Sequence, residues 1–125
     1  MSELKRIMYV EDDPDIQAVA KMALEMVGGF TVKIFSSGEE ALREAAAFEP
    51  DLILLDVMMP GMDGFETFKG LREISSLAEV PVVFMSAKVQ PNEVEQYRTL
   101  GARDVIPKPF DPMTLADTVR EIWDA

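Results

Sequence analysis

Four short stretches carry residues that could do chemistry together: Glu11, Asp12 and Asp13 in "VEDDP", Asp56 in "LLDVMMPGMDG", Ser86 in "MSAK" and Lys108 in "PKPF". Carboxylates about 4 Å apart repel one another by roughly 4 kcal/mol per pair at an effective dielectric near 20. A cluster of them therefore needs a cation or a raised pKa. The chain has no histidine and no cysteine, so any metal site must be built from oxygen and takes a hard cation. Mg²⁺ suits such a site because it binds through one or two carboxylates, keeps several waters and often takes a phosphate oxygen. Lys108 offers a fixed positive charge and Ser86 a hydroxyl donor for a phosphoryl oxygen. A metal, an amine and a hydroxyl around one carboxylate describe an aspartate nucleophile that becomes an aspartyl phosphate.

These residues must be brought together by the elements that carry them. Five apolar, β-rich runs, at residues 6–10, 30–35, 51–55, 80–85 and 104–106, alternate with five amphipathic segments. Near-continuous apolar strands such as "LILL" and "VPVVFM" imply a parallel sheet covered on both faces. The first helix has Asp13 as N-cap and Pro14 as its first residue, an apolar face from Ile16 to Val27, and Gly28 and Gly29 as its stop. In the second, Ser37 and Glu40 form a capping box. The third follows "GMDG", the fourth opens at Pro91, and the last begins at "FDPMTL", again with Asp before Pro. The alternation implies right-handed βαβ crossovers and a doubly wound α/β sheet, in which ligands bind at the carboxyl ends of the strands. The acids, the hydroxyl and the amine all follow strand runs.

Length and composition narrow the function. Residues 1–125 are read as a single domain, of a size that buries one core. Hydrophobic residues at 48% and charged residues at 28% fit a globular protein. A net charge of −11 repels nucleic-acid phosphates and anionic membranes, so direct nucleic-acid binding and membrane association are excluded as expectations. No run is long and apolar enough for a signal peptide or a membrane span, which makes the cytoplasm the expected location.

The four motifs, in this order, resemble the receiver domain of two-component response regulators, and the likeness runs from Lys5 to nearly the last residue. The intervals from Asp12 to Asp56, from Asp56 to Ser86 and from Asp56 to Lys108 are also those of the family. The resemblance implies a flavodoxin-like (βα)5 domain with a five-stranded parallel sheet in the order 2-1-3-4-5. It implies Asp56 as phosphoacceptor, Asp12 as direct Mg²⁺ ligand, Glu11 reaching the metal through water, and Met58 giving it a backbone carbonyl. Ser86 and Lys108 then attend the phosphoryl group, and Pro109 follows Lys108 in a bond that is typically cis in the family. Asp13 falls outside the acid pair and is left as a helix cap. The implied partners are a sensor histidine kinase or histidine phosphotransfer protein and a downstream protein met through the fourth helix, fifth strand and fifth helix. Whether phosphorylation also brings two copies together stays open. The chain stops at "EIWDA" with no effector domain after it, which reads as a stand-alone receiver or one cut from a longer protein.

Other residues read as structural: Gly61 and Gly64 as turn glycines, Phe65, Phe68, Phe110 and Trp123 as packing, and the methionines as core or loop filler. One departure stands out. Three residues before the lysine, where the family usually places an aromatic ring that responds to phosphorylation, this chain has Val105. Three rival functions make demands of their own on the sequence. A Mg²⁺-dependent phosphatase of the haloacid dehalogenase type needs a second Asp where Met58 stands, and a cap domain for which there is no room. An FMN carrier would want a Ser/Thr/Gly-rich phosphate loop where the three acids are. A receiver-like scaffold that takes no phosphate is the remaining alternative. The chain is not expected to be a turnover enzyme.

Overall fold

The computed structural model describes residues 3–125; Met1 and Ser2, the first two residues of the expected single domain, lie outside them. In chain order the elements are β1 (Arg6–Val10), α1 (Pro14–Met22), a π-helical turn (Ala23–Val27), β2 (Thr31–Phe35), α2 (Gly38–Phe48) and β3 (Leu52–Asp56). Then come α3 (Gly64–Glu73), a 3₁₀ turn (Ser75–Leu77), β4 (Val82–Ser86), α4 (Pro91–Leu100), β5 (Asp104–Pro107) and α5 (Leu115–Asp124). The five strands form one parallel sheet in the order β2-β1-β3-β4-β5.

Period-two alternation along each strand sends side chains to two separate cores. Ile7, Tyr9, Leu52, Leu54, Val83, Met85 and Ile106 pack beneath α1 and α5, against Ala20, Leu24, Leu115, Val119 and Ile122. Met8, Val10, Ile53, Leu55, Val82 and Phe84 face α2, α3 and α4, against Ala41, Ala45, Phe68, Leu71 and Tyr97. All residues of β3 and β4 are buried, whereas β2 alternates, with Thr31 and Lys33 exposed. A central parallel strand covered on both faces tolerates no polar residue without a partner, which is why Asp56 and Ser86 are conspicuous at the ends of "LILLD" and "VVFMS".

Several local readings of the sequence need adjustment. β3 starts at Leu52 rather than at Asp51, whose carboxylate is taken by the Lys5 and Arg6 N–H groups at 3.0 and 2.8 Å. Asp56 and Ser86 are the last residues of their strands rather than the first residues beyond them. The end of the first helix is π-wound, the Gly28 N–H donating to the Ala23 carbonyl at 3.2 Å as the chain turns toward β2. Only half of the expected capping box at α2 forms. Ser37 Oγ accepts from the Glu40 N–H at 3.2 Å, but the Glu40 carboxylate reaches past it to the Ser36 N–H at 2.9 Å. A complete box closes α3 instead, between Asp63 and Glu66. At the last helix, Asp111 accepts from the Met113 N–H at 2.9 Å and spends Asp111–Thr114 on a turn, so that α5 begins at Leu115. Trp123, Phe65, Phe68 and Phe110 pack on the cores as expected.

Gly61 and Gly64 have different roles. Gly61 sits at φ +73°, where a side chain is strained, and is a turn glycine. Gly64 is the first residue of α3, and its position is set by proximity. A Cβ there would lie 2.4 Å from the Asp56 carbonyl oxygen and 2.7 Å from the Val57 Cα. Its N–H donates to the Val57 carbonyl at 3.0 Å, which presses the start of α3 onto the end of β3.

Candidate functional site

The exits of β1, β3, β4 and β5 meet at the carboxyl edge of the sheet. Glu11 follows β1 directly, its N–H still donating to the Phe35 carbonyl at 3.0 Å, so it leaves the sheet as rigid strand. It is 1% exposed, and Asp56 is 2% exposed. Asp12, next in the chain, faces solvent. One carboxylate oxygen from each of Glu11, Asp12 and Asp56 lies within 4.8 Å of the others, an all-oxygen set that could hold a metal ion.

Lys108 spans two of these acids. Its Nζ lies 2.9 Å from Glu11 Oε1 and 3.2 Å from Asp56 Oδ1. The Lys108 N–H donates to the Ser86 carbonyl at 2.8 Å, which fixes the exit of β5 against β4, and the Lys108–Pro109 peptide is cis. Burial, followed by the charge of Glu11, pushes the Asp56 carboxyl up to about 6 against the opposing pull of Lys108. Burial works to lower the Lys108 ammonium, but its bonds to Glu11 and Asp56 outweigh that and raise it. The pair is a buried carboxyl held above its usual range beside an amine that keeps its proton.

Glu11 has further partners. Tyr9, fully buried on β1, donates its hydroxyl to Glu11 Oε1 at 3.0 Å, and the Asp13 N–H donates to Oε2 at 3.2 Å. Burial and then the Glu11 charge hold the Tyr9 phenol well above its ordinary range, so it keeps the proton that it donates to Glu11. Asp13 accepts from the Asp15 and Ile16 N–H groups at 2.8 and 3.4 Å and is the N-cap of α1. Met58 donates its N–H to Asp56 Oδ1 at 3.3 Å, while its side chain is 65% exposed.

Ser86 is 1% exposed and is engaged on the side of α4. Its Oγ accepts from the Lys88 N–H at 3.0 Å and lies 3.2 Å from the Tyr97 hydroxyl. The structure thus brings Glu11, Asp12, Asp56 and Lys108 into one cluster and sets Ser86 on the adjacent strand end. Tyr9 and Tyr97 were not anticipated as polar partners. Tyr9 stands two residues before Glu11 in a strand and so shares its face, a signal the sequence offered. Tyr97 falls on the apolar face of the fourth helix, where spacing alone shows packing and not the partner that a buried tyrosine hydroxyl requires.

Sheets of this order bind ligands at their strand ends, beside the point where the order reverses, and the acids and the lysine are gathered at that edge. The chain belongs to the response regulator receiver domain family, whose sequence profile matches residues 7–120, and is a receiver of two-component signalling. It is 36% identical over 122 residues to the transcriptional regulatory protein CseB of Streptomyces avermitilis, covering 98% of this chain and 50% of that one. It is 37% identical over 118 residues to the alkaline phosphatase synthesis transcriptional regulatory protein PhoP of Bacillus subtilis, covering 94% and 48%. The chain thus spans about half the length of the curated relatives it matches. Among solved structures, the chemotaxis response regulator CheY4 of Vibrio cholerae superposes with a TM-score of 0.87 at 29% identity, covering 96% of this chain and 99% of that one. Among the described residues, no helix is long and apolar enough to cross a membrane.

Proposed function

We propose that residues 1–125 form one receiver unit that accepts a phosphoryl group on Asp56 and thereby changes its affinity for a partner protein. The observation that carries this reading is the buried Asp56 carboxylate, 3.2 Å from the Lys108 ammonium and within the three-acid cluster. The donor is the phosphohistidine of a sensor kinase or a phosphotransfer protein, in the cytoplasm. Asp56 attacks phosphorus, the O–P bond forms as the N–P bond breaks, and the electron pair of that bond stays on the imidazole nitrogen. A carboxyl pushed up to about 6 is still ionised at neutral pH, so no proton has to leave Asp56 first.

The all-oxygen donor set fits Mg²⁺, with Asp12, Asp56 and the Met58 carbonyl as ligands and Glu11 acting through water. When bound, Mg²⁺ supplies positive charge against the phosphoryl oxygens. Lys108 turns from its bridge between Glu11 and Asp56 toward a phosphoryl oxygen, and Ser86 donates its hydroxyl to another. The chain assists the gain and loss of its own phosphoryl group and turns over no separate substrate. Output passes to a protein partner through the face of α4, β5 and α5.

Intact mass after incubation with Mg²⁺ and acetyl phosphate tests the reading. One added phosphoryl group that requires Mg²⁺ and is absent from Asp56→Asn is expected. A folded, Mg²⁺-binding protein that gains no phosphoryl group from acetyl phosphate or from a histidine donor would overturn it in favour of a scaffold.

A further inference from the structure

On the α4 side of Ser86 three oxygens form a closed triangle. Ser86 Oγ is 3.2 Å from Tyr97 Oη and 3.3 Å from the Lys88 carbonyl oxygen, and Tyr97 Oη is 3.2 Å from that same carbonyl. The carbonyl only accepts, so the triangle holds two protons, one from each hydroxyl. Tyr97 is the buried residue of α4, 5% exposed. Its ring is wedged 5.6 Å from Phe84 and 5.8 Å from Phe65, centroid to centroid. Ala87, Lys88, Val89 and Gln90, which link β4 to α4, are exposed. The helix and its leading loop are therefore fastened to the site through one buried ring and one small set of hydrogen bonds.

We propose that Tyr97 is the positioning residue that couples Ser86 to α4, so that the loop 87–90 and the helix respond to the state of Asp56. The inference rests on phosphorylation of Asp56 as read above. While Ser86 donates within the triangle, its hydroxyl and that of Tyr97 together hold the Lys88 carbonyl. When Ser86 turns its only proton to a phosphoryl oxygen, one proton remains for three oxygens. Tyr97 can then bond either Ser86 Oγ or the Lys88 carbonyl, and the contact it leaves opens. Because the ring is packed on Phe65 and Phe84, the hydroxyl changes partners by moving the loop or by shifting α4 on its anchor. Val105, half-buried against the same cluster, has no polar group with which to compete for Ser86.

Tyr97→Phe tests this, because it keeps the ring and its packing and removes only the hydroxyl. Backbone amide NMR shifts are followed in wild type, Tyr97→Phe and Ser86→Ala during incubation with Mg²⁺ and acetyl phosphate, with intact mass read on the same samples. The expected result is a phosphoryl adduct in wild type with shifts at Asp56, Ser86 and the amides of Lys88 to Arg98. In Tyr97→Phe the adduct and the Asp56 shift persist, and the α4 shifts shrink by more than half. Ser86→Ala shows the same uncoupling at whatever adduct level it reaches. Undiminished α4 shifts in phosphorylated Tyr97→Phe overturn the coupling while leaving the phosphoacceptor reading intact. Phosphorylated wild type with an unmoved α4 does the same. No adduct in wild type, from acetyl phosphate or from a histidine donor, removes both.

Discussion

Asp56 is where the folded chain sustains an electrostatic cost. Its carboxyl ordinarily titrates at 3.8, and burial followed by the neighbouring Glu11 charge moves it up to about 6. Between those values the folded state keeps a proton that the unfolded chain has released, so stability falls as pH rises through that window and stays lowered above it. Without divalent cations, Asp56→Asn is therefore expected to melt above wild type at pH 7, by at most about 3 kcal/mol, with the gap closing below pH 4. Thermal or urea unfolding across pH 3.5 to 7.5 checks the sign, and a wild type more stable than the variant at pH 7 would contradict it. Met58 donates its backbone N–H to the same carboxylate and leaves an apolar side chain exposed. Met58→Asn offers an attacking water a polar partner, and the phosphoryl lifetime, followed by mass, should shorten severalfold. At this scale most of the chemistry was legible, because acids, hydroxyl and amine follow apolar runs. The two tyrosines were not, since an aromatic at a core position looks the same in sequence whether its hydroxyl is a ligand or merely satisfied.

The elements show what places these residues. Asp13 accepts two N–H groups at the start of α1 and has no place in the acid triad, which divides the three consecutive acids into two jobs. Asp13→Ala should cost about 1 kcal/mol in chemical denaturation and leave Mg²⁺ affinity within about twofold of wild type. A much larger loss of Mg²⁺ binding would mean that the cap is also a ligand. Gly64 couples α3 to the end of β3, and a methyl group there meets the backbone of Asp56 and Val57. Gly64→Ala should lose about 1–3 kcal/mol or more and slow modification of Asp56, since the main chain at Asp56 must give way. Strands and helices were recoverable from apolar runs and from Pro and Gly punctuation. Their edges were less so. Asp51 and Asp111 spend their carboxylates on neighbouring N–H groups, a choice of partner that composition does not reveal. The π-wound end of α1 leaves Gly28 no room for a Cβ, which would lie 2.7 Å from the Leu24 carbonyl oxygen and 2.8 Å from the Phe30 ring, contacts that spacing does not reveal.

For the whole molecule, strands and helices in alternation specified a doubly wound sheet, while the order of the strands came from resemblance to a family and not from periodicity. The parallel order puts Glu11 and Asp12 beside Asp56 because β1 and β3 are neighbours, and Lys108 near both because β5 borders β4. With a net charge of −11 and three acids at one edge, a divalent cation there would offset their repulsion. At ten times its dissociation constant Mg²⁺ should stabilise the protein by about 1.4 kcal/mol beyond NaCl of equal ionic strength. Melting curves of wild type and Asp12→Ala separate the specific effect from screening, and an equal rise in both would argue against a site. The four exits that meet at that edge come from strands spread between Arg6 and Pro107, so a chain that stops short of β5 lacks one of them. A chain still emerging from the ribosome, or one with β5 peeled away, has its acids without the Lys108 ammonium that lies 3.2 Å from Asp56. On the proposed function, modification of Asp56 then requires β1, β3, β4 and β5 to be in place together, and unfinished copies stay silent.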